Sequence, residues 1–205
     1  IGLDEAGYGP LLGPLTIGAV RIDGPRGALR RVIDRRSADV PKIADSKTLF
    51  SGGNGFEALE RVALAALGVA RGTTPRRVAD LFDGAVEGLA EHPWYGALDA
   101  PLPPKAAPER VAAATEALDH AIRSEDAKLA RASVRPRLEG VLNASFERTG
   151  CKGATHLEHM GDAMIDVLRD APDRNGVVVC DRLGGRKFYA AFLRESVDEM
   201  APGRR

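Results

Sequence analysis

Cysteine is close to absent from this chain. Cys151 and Cys180 are the only two in 205 residues, and neither belongs to a CxxC pair or lies beside a matching set of histidines. That excludes a disulfide framework and argues against structural zinc, leaving both as reduced bystanders. Aromatic residues make up 5% of the chain, and neither charge is in excess: Lys plus Arg and Asp plus Glu each number 29. Net charge therefore offers no evidence for a polyanionic partner, and any affinity for nucleic acid has to come from local basic clusters. No apolar run approaches the roughly 20 residues that span a bilayer. Asp4 and Glu5 interrupt the first apolar segment, which excludes the hydrophobic stretch of a signal peptide. The expectation is a cytoplasmic monomer with no membrane association.

What is present is ordinary globular material, 44% hydrophobic and 28% charged, enough for one sizeable domain over residues 1–205. The chain starts at Ile1 without a methionine and ends on Arg204 and Arg205, as a fragment trimmed at one or both ends would.

Read along the chain, Ile1 to Leu3 is a short strand, Gly7 to Pro14 a Gly/Pro-punctuated loop, and Leu15 to Ile22 a second strand. Ala28 to Arg36 suits a short helix, and Ile43 to Asp45 offers a weak third strand signal. Asn54 with Glu57 resembles a capping box, ahead of a helical stripe of Phe56, Leu59, Ala63, Ala66, Leu67 and Ala70 that Gly72 ends. Residues 73–129 read as an insertion, Pro-rich at first and helical from Glu109 to Leu129. Ala132, Val134 and Leu138 alternate with Arg131, Arg135 and Arg137, the period of a half-exposed strand whose Pro136 suggests an edge. Asn143 suits the cap of a short helix closed by Gly150. Thr155 with Glu158 reads as a capping box opening a helix whose Leu157, Met160, Met164 and Leu168 form a core stripe. After an Asn175-Gly176 turn, Val177 to Cys180 reads as a strand buried on both faces that ends at Asp181. This order predicts an α/β layered domain, in which ligands favour the carboxyl ends of strands.

Asp4 and Glu5 follow the first strand and Asp181 follows the last. If those strands are parallel neighbours, three carboxylates converge at one sheet edge, an arrangement that is costly without cations. Hard oxygen ligands suit Mg²⁺ or Mn²⁺, and a pair of such ions supports hydrolysis of a phosphodiester. Directly after Asp181, the Gly-flanked basic run around Arg186 and Lys187 suits phosphate contact.

The run Leu3-Asp4-Glu5-Ala6-Gly7-Tyr8-Gly9-Pro10-Leu11-Leu12-Gly13-Pro14 resembles the Asp-Glu-Ala-Gly-Arg-Gly-Pro-Leu-x-Gly-Pro signature that opens type 2 ribonucleases H. Asp45-Ser46-Lys47-Thr48-Leu49 resembles the second motif of that family, Asp-Ser-Lys-Lys-Leu. The resemblance implies an RNase-H-like mixed sheet, three antiparallel strands then two parallel to the first, flanked by helices. It implies a metal-dependent endonuclease cutting RNA in RNA–DNA hybrids, or at ribonucleotides embedded in duplex DNA. By the same resemblance Asp4, Glu5 and Asp181 would be catalytic and hold Mg²⁺ or Mn²⁺, and Ser46 and Lys47 would bind substrate phosphates. Gly7 and Gly9 would present backbone amides to the nucleotide. Tyr8 departs from the pattern, because the family has an arginine there. A tyrosine could stack on a sugar or donate its hydroxyl, but it lacks the charged guanidinium fork. The fourth carboxylate of the family has no convincing counterpart before Arg205, Asp198 being the nearest candidate. The same carboxylates would serve an RNase-H-like nuclease acting on DNA, and the departures leave room for a catalytically impaired binding protein.

Other features carry weaker signals. Arg131, Arg135 and Arg137 read first as a solvated sheet face and second as a nucleic-acid contact. His156 and His159 have a spacing compatible with metal but lack a third soft ligand, and read as surface residues. Trp94 and Tyr95 read as packing of the insertion ahead of base stacking.

Overall fold

The computed structural model describes residues 1–7, 14–34, 40–51, 53–83, 88–89, 91–169, 171, 176–181, 187–192 and 194. The chain forms two compact units, one made of residues 1–21 with 133–205 and one of residues 22–132. The fold is mixed α/β, with one three-stranded antiparallel sheet and several helices among the described residues.

Strand β1 (Gly2–Ala6) pairs antiparallel with β2 (Leu15–Asp23), with Leu3 opposite Ala19, Asp4 opposite Gly18 and Glu5 opposite Ile17. The period-2 pattern of the sequence is realised directly: Leu15, Ile17 and Ala19 point to the core and their neighbours are partly exposed. After α1 (Ala28–Asp34), the brief apolar approach at Ile43 to Asp45 is not a strand. It leads into helix α2 (Ser46–Phe50), because the Asp45 side chain accepts hydrogen bonds from the amides of Lys47 and Thr48 and caps a helical turn.

Helix α3 (Gly55–Arg71) forms where expected and stops at Gly72, whose φ of 74° is the left-handed conformation of a helix end. Asn54 precedes it without a side-chain capping bond, so the expected capping box is not formed. The following segment holds two short 3-10 turns, Val78–Leu81 and Pro93–Tyr95, before α4 (Pro108–Arg123). α4 ends earlier than the apolar spacing suggests: Asp126 takes a left-handed φ of 54°, and Leu129 belongs to the next strand. α3 and α4 pack together, and Leu64, Ala106 and Val111 form a buried cluster with Leu81 and Leu102 against it. There Glu60 Oε2 accepts the amides of Lys105 and Ala106 at 3.1 and 2.7 Å, anchoring the Pro-rich stretch.

Strand β3 (Lys128–Arg137) lies beside β2, giving the sheet order β1-β2-β3, and Pro136 sits at that outer position where a missing amide is tolerated. α5 (Glu139–Thr149) starts four residues before Asn143, which lies inside it. α6 (Lys152–Leu168) starts before Thr155, so Thr155 and Glu158 do not form the expected capping box. Thr155 is buried and shares a hydrogen bond of 2.8 Å with the Thr149 hydroxyl, while Glu158 accepts from Ser145 and Arg148. The stripe of Leu157, Met160 and Met164 is core as expected, packed with Leu3, Leu15, Ile17, Ala19, Ala163 and Val167.

The reading of Val177 to Cys180 as a strand buried on both faces is overturned. Val177 and Val179 are 63% and 65% exposed, and the segment makes one isolated parallel bridge, Gly2 to Val179, in place of a ladder. Continuous hydrophobicity does not bury a strand unless elements cover both of its faces. Two parallel strands are therefore not found among the described residues. No helix there is long and apolar enough to cross a membrane.

Candidate functional site

The bridge beside β1 is small but well defined. The Leu3 amide donates to Val179 O at 2.9 Å, the Val179 amide to Ile1 O at 2.8 Å, and the amino terminus to Val177 O at 2.8 Å. The bridge stops there, so Cys180 and Asp181 follow it without a ladder to β1. Partial burial raises the Cys180 thiol pKa, with the carboxylates of its chain neighbour Asp181 and of Glu5 adding to it.

Asp4 and Glu5 do not point the same way. Successive strand residues face opposite sides of a sheet, so Asp4 is exposed while Glu5 shares the inner face with Leu3. Asp4 Oδ1 accepts the Glu5 amide at 2.9 Å. Glu5 Oε2 is enclosed and accepts no hydrogen bond. It lies 3.5 Å from His156 Nε2 on α6, the helix that packs on β1. Among the described residues no group of three or more His, Cys, Asp or Glu side chains is disposed to hold a metal ion, and alternation along β1 turns Asp4 and Glu5 to opposite faces.

Gly7 has a structural role whatever else it does. Its φ is +90°, and a Cβ there would come within 2.5 Å of Pro14 O, so only glycine lets the two ends of the loop meet. Tyr8, Gly9, Arg186 and Asp198 lie outside the described residues. Lys187 is exposed. Ser46 and Lys47 are exposed in the first turn of α2, where Asp45 is occupied in capping.

The arginines of β3 are absorbed by the fold. Arg135 pairs with Asp166 at 2.8 Å and Arg137 with Asp162 at 2.9 Å, both acids projecting from α6. The histidines of α6 are buried rather than on the surface. His159 sits 3.9 Å from Asp162, and burial, with Arg137 adding to it, holds its pKa below the ordinary value. The sequence singled out His156 for its spacing from His159, whereas its approach to Glu5 spans strand and helix and leaves no local pattern. Trp94 does not pack away: it is 60% exposed, stacked on His92 with ring centres 4.9 Å apart.

Compared with known proteins, the chain matches no protein-family model, no curated protein and no solved structure.

Proposed function

We propose that the chain is a divalent-metal-dependent endonuclease of the type 2 ribonuclease H kind, acting on RNA–DNA hybrids or on ribonucleotides within duplex DNA. What supports the reading is the Asp4 to Pro14 motif in a chain whose isolated bridge from Gly2 to Val179 brings the segment just before Asp181 beside β1. The enclosed, unbonded Oε2 of Glu5 fits the same reading, since a buried carboxylate oxygen is costly unless a donor or cation meets it. Asp4, Glu5 and Asp181 would hold Mg²⁺ or Mn²⁺, all three being hard oxygen donors. A bound ion would supply an activated water and neutralise charge on the scissile phosphodiester, leaving 3′-hydroxyl and 5′-phosphate ends. Lys187, and separately Ser46 and Lys47, are exposed groups suited to phosphate oxygens.

Purified protein with Mn²⁺ should cut a hybrid duplex or a duplex with one embedded ribonucleotide, and leave an all-DNA duplex whole. Asp4→Ala and Asp181→Ala should each bring cleavage to background with an unchanged circular dichroism spectrum, because both residues are exposed. Full activity in either variant would sink the assignment. A second reading rests on Tyr8 replacing the arginine of the motif and on the opposed faces of Asp4 and Glu5: a catalytically impaired relative that binds the same duplexes. Binding without cleavage in either metal would favour it, and cleavage of plain DNA would point to a DNA-directed nuclease.

A further inference from the structure

We propose that the end of α2 and the start of α3 form a contact for single-stranded nucleic acid, with Phe50 and Phe56 stacking on bases and Lys47 meeting a phosphate. It rests on the reading above for the phosphate role of Lys47 and needs no metal. Phe56 heads the apolar stripe of α3, yet it is 49% exposed, and Phe50 at the end of α2 is 57% exposed. Gly55 between them is buried, and a Cβ there would collide with the Phe50 carbonyl, so α3 starts directly against the end of α2. Two exposed phenylalanines are thus fixed on adjoining helix ends, and neither ring meets another aromatic ring among the described residues. Single exposed apolar residues are common on a surface, whereas a fixed pair beside a cation asks for a reason.

The cation is Lys47, three residues before Phe50 and on the same face of α2. It is exposed and makes no ion pair among the described residues. The acids of this stretch are engaged: Asp45 Oδ1 accepts the amides of Lys47 and Thr48, and Glu57 pairs with Arg110 at 3.1 Å. Flat apolar surface beside positive charge is the combination that takes up single strands. The bases of an intact duplex stack on one another and turn only their edges outward, so an unpaired strand is what offers a face to a phenyl ring. Trp94, also exposed, lacks that charge. One face of its indole is taken by His92, Glu91 and Asp99 are exposed near it in the chain, and Arg77 is shared between Asp80 and Asp99. A polyanion is favoured at α2 over that turn.

The test is binding of a fluorescein-labelled single strand of oligo-dT, about 20 nucleotides long, to the full chain, followed by anisotropy in EDTA so that no metal chemistry intervenes. Phe50→Ala and Phe56→Ala should each weaken binding about 5- to 100-fold. Phe50→Trp should keep it within about threefold and Phe50→Leu should not, because leucine is apolar but offers no π face. Lys47→Ala should weaken it less and reduce the slope of log affinity against log salt by about 0.7. Trp94→Ala should leave it unchanged. The altered positions are exposed, so circular dichroism should not change; if Phe50→Ala does not fold, Phe50→Trp against Phe50→Leu carries the test. Absence of binding by the wild type, wild-type affinity in folded Phe50→Ala or Phe56→Ala, equal affinity in Phe50→Leu and Phe50→Trp, or a loss on Trp94→Ala would each overturn the proposal. So would equally tight binding of a blunt DNA duplex of the same length, since phosphate contact alone would then account for the affinity. Binding of oligo-dT with no cleavage of any hybrid in Mn²⁺ would sink the nuclease reading and leave this contact standing, and cleavage without single-strand binding would do the reverse.

Discussion

The unit of residues 22–132 and the unit of residues 1–21 with 133–205 both close around aliphatic clusters, and they differ in which polar groups they enclose: arginine–carboxylate and backbone pairings in the first, with Arg61 Nε, Arg71 Nε and Glu125 Oε1 still unbonded, and two histidines and a glutamate in the second. In the first, Glu125 is buried against Arg31, Glu60 accepts two backbone amides, and Arg71 donates to Asp80 O, Leu81 O and Asp83. In the second, Asp166 is matched by Arg135, but Glu5 Oε2 accepts nothing and neither ring nitrogen of His159 has a hydrogen-bond partner. Polar groups that serve only the fold are satisfied almost everywhere in native proteins.

The largest effects should fall on the cores and should not distinguish the two units. Ile17→Ala and Leu64→Ala each empty a buried site and should each cost about 2–5 kcal/mol in urea unfolding. An unchanged midpoint for Leu64→Ala would mean that the helical unit is not held by the cluster it shows. Next comes Arg135→Ala, which takes an ion-pair partner at 2.8 Å from the buried Asp166 and should cost about 3 kcal/mol. Arg135→Ala should leave hybrid-duplex affinity nearly intact, because this arginine is committed to the fold. A large loss of affinity without loss of stability would reverse that assignment.

A smaller effect should appear as pH dependence. Burial holds the His159 pKa below the ordinary value of about 6.5. Below that value the unfolded chain takes up a proton that the folded chain resists, so the stability conferred by a neutral His159 is full above about pH 6.5 and declines as pH falls toward the folded value. Urea midpoints at pH 7.5 and 5.5 should therefore fall with acidity in the wild type and fall less in His159→Gln. Equal slopes would remove His159 from the account. Least of all should change on breaking Arg30–Asp34, an exposed pair one helical turn apart, where Arg30→Ala should leave the urea midpoint unchanged.

Several elements were legible in the residues alone. The strand from Leu15 to Ile22, the stripe of Leu157, Met160 and Met164, and the Gly72 stop each depend on a period or a local conformation, and each appears in the fold. Where a local motif could be met in more than one way, reading failed. Thr155 and Glu158 have capping-box spacing, but their hydroxyl and carboxylate are taken by Thr149 and by Ser145 and Arg148, so the helix begins earlier. The motif at Asp45 to Leu49 fits a capping turn as well as chemistry, and the Asp45 side chain caps α2. The arginines of β3 looked available until the acids of α6 were placed opposite them.

Chemistry-bearing residue types and their order were set by the sequence alone: Asp4 and Glu5 at the end of a first strand, a glycine able to turn at position 7, and Asp181 after an apolar run. Only the tertiary structure decided that Val177 to Val179 lies beside Ile1 to Leu3 and stays exposed, and that Glu5 turns inward to His156. The reason is physical. Strand period and turn conformation are properties of neighbouring residues, whereas burial and partnership depend on which distant element covers each face, and β1 shows two different faces to two different neighbours.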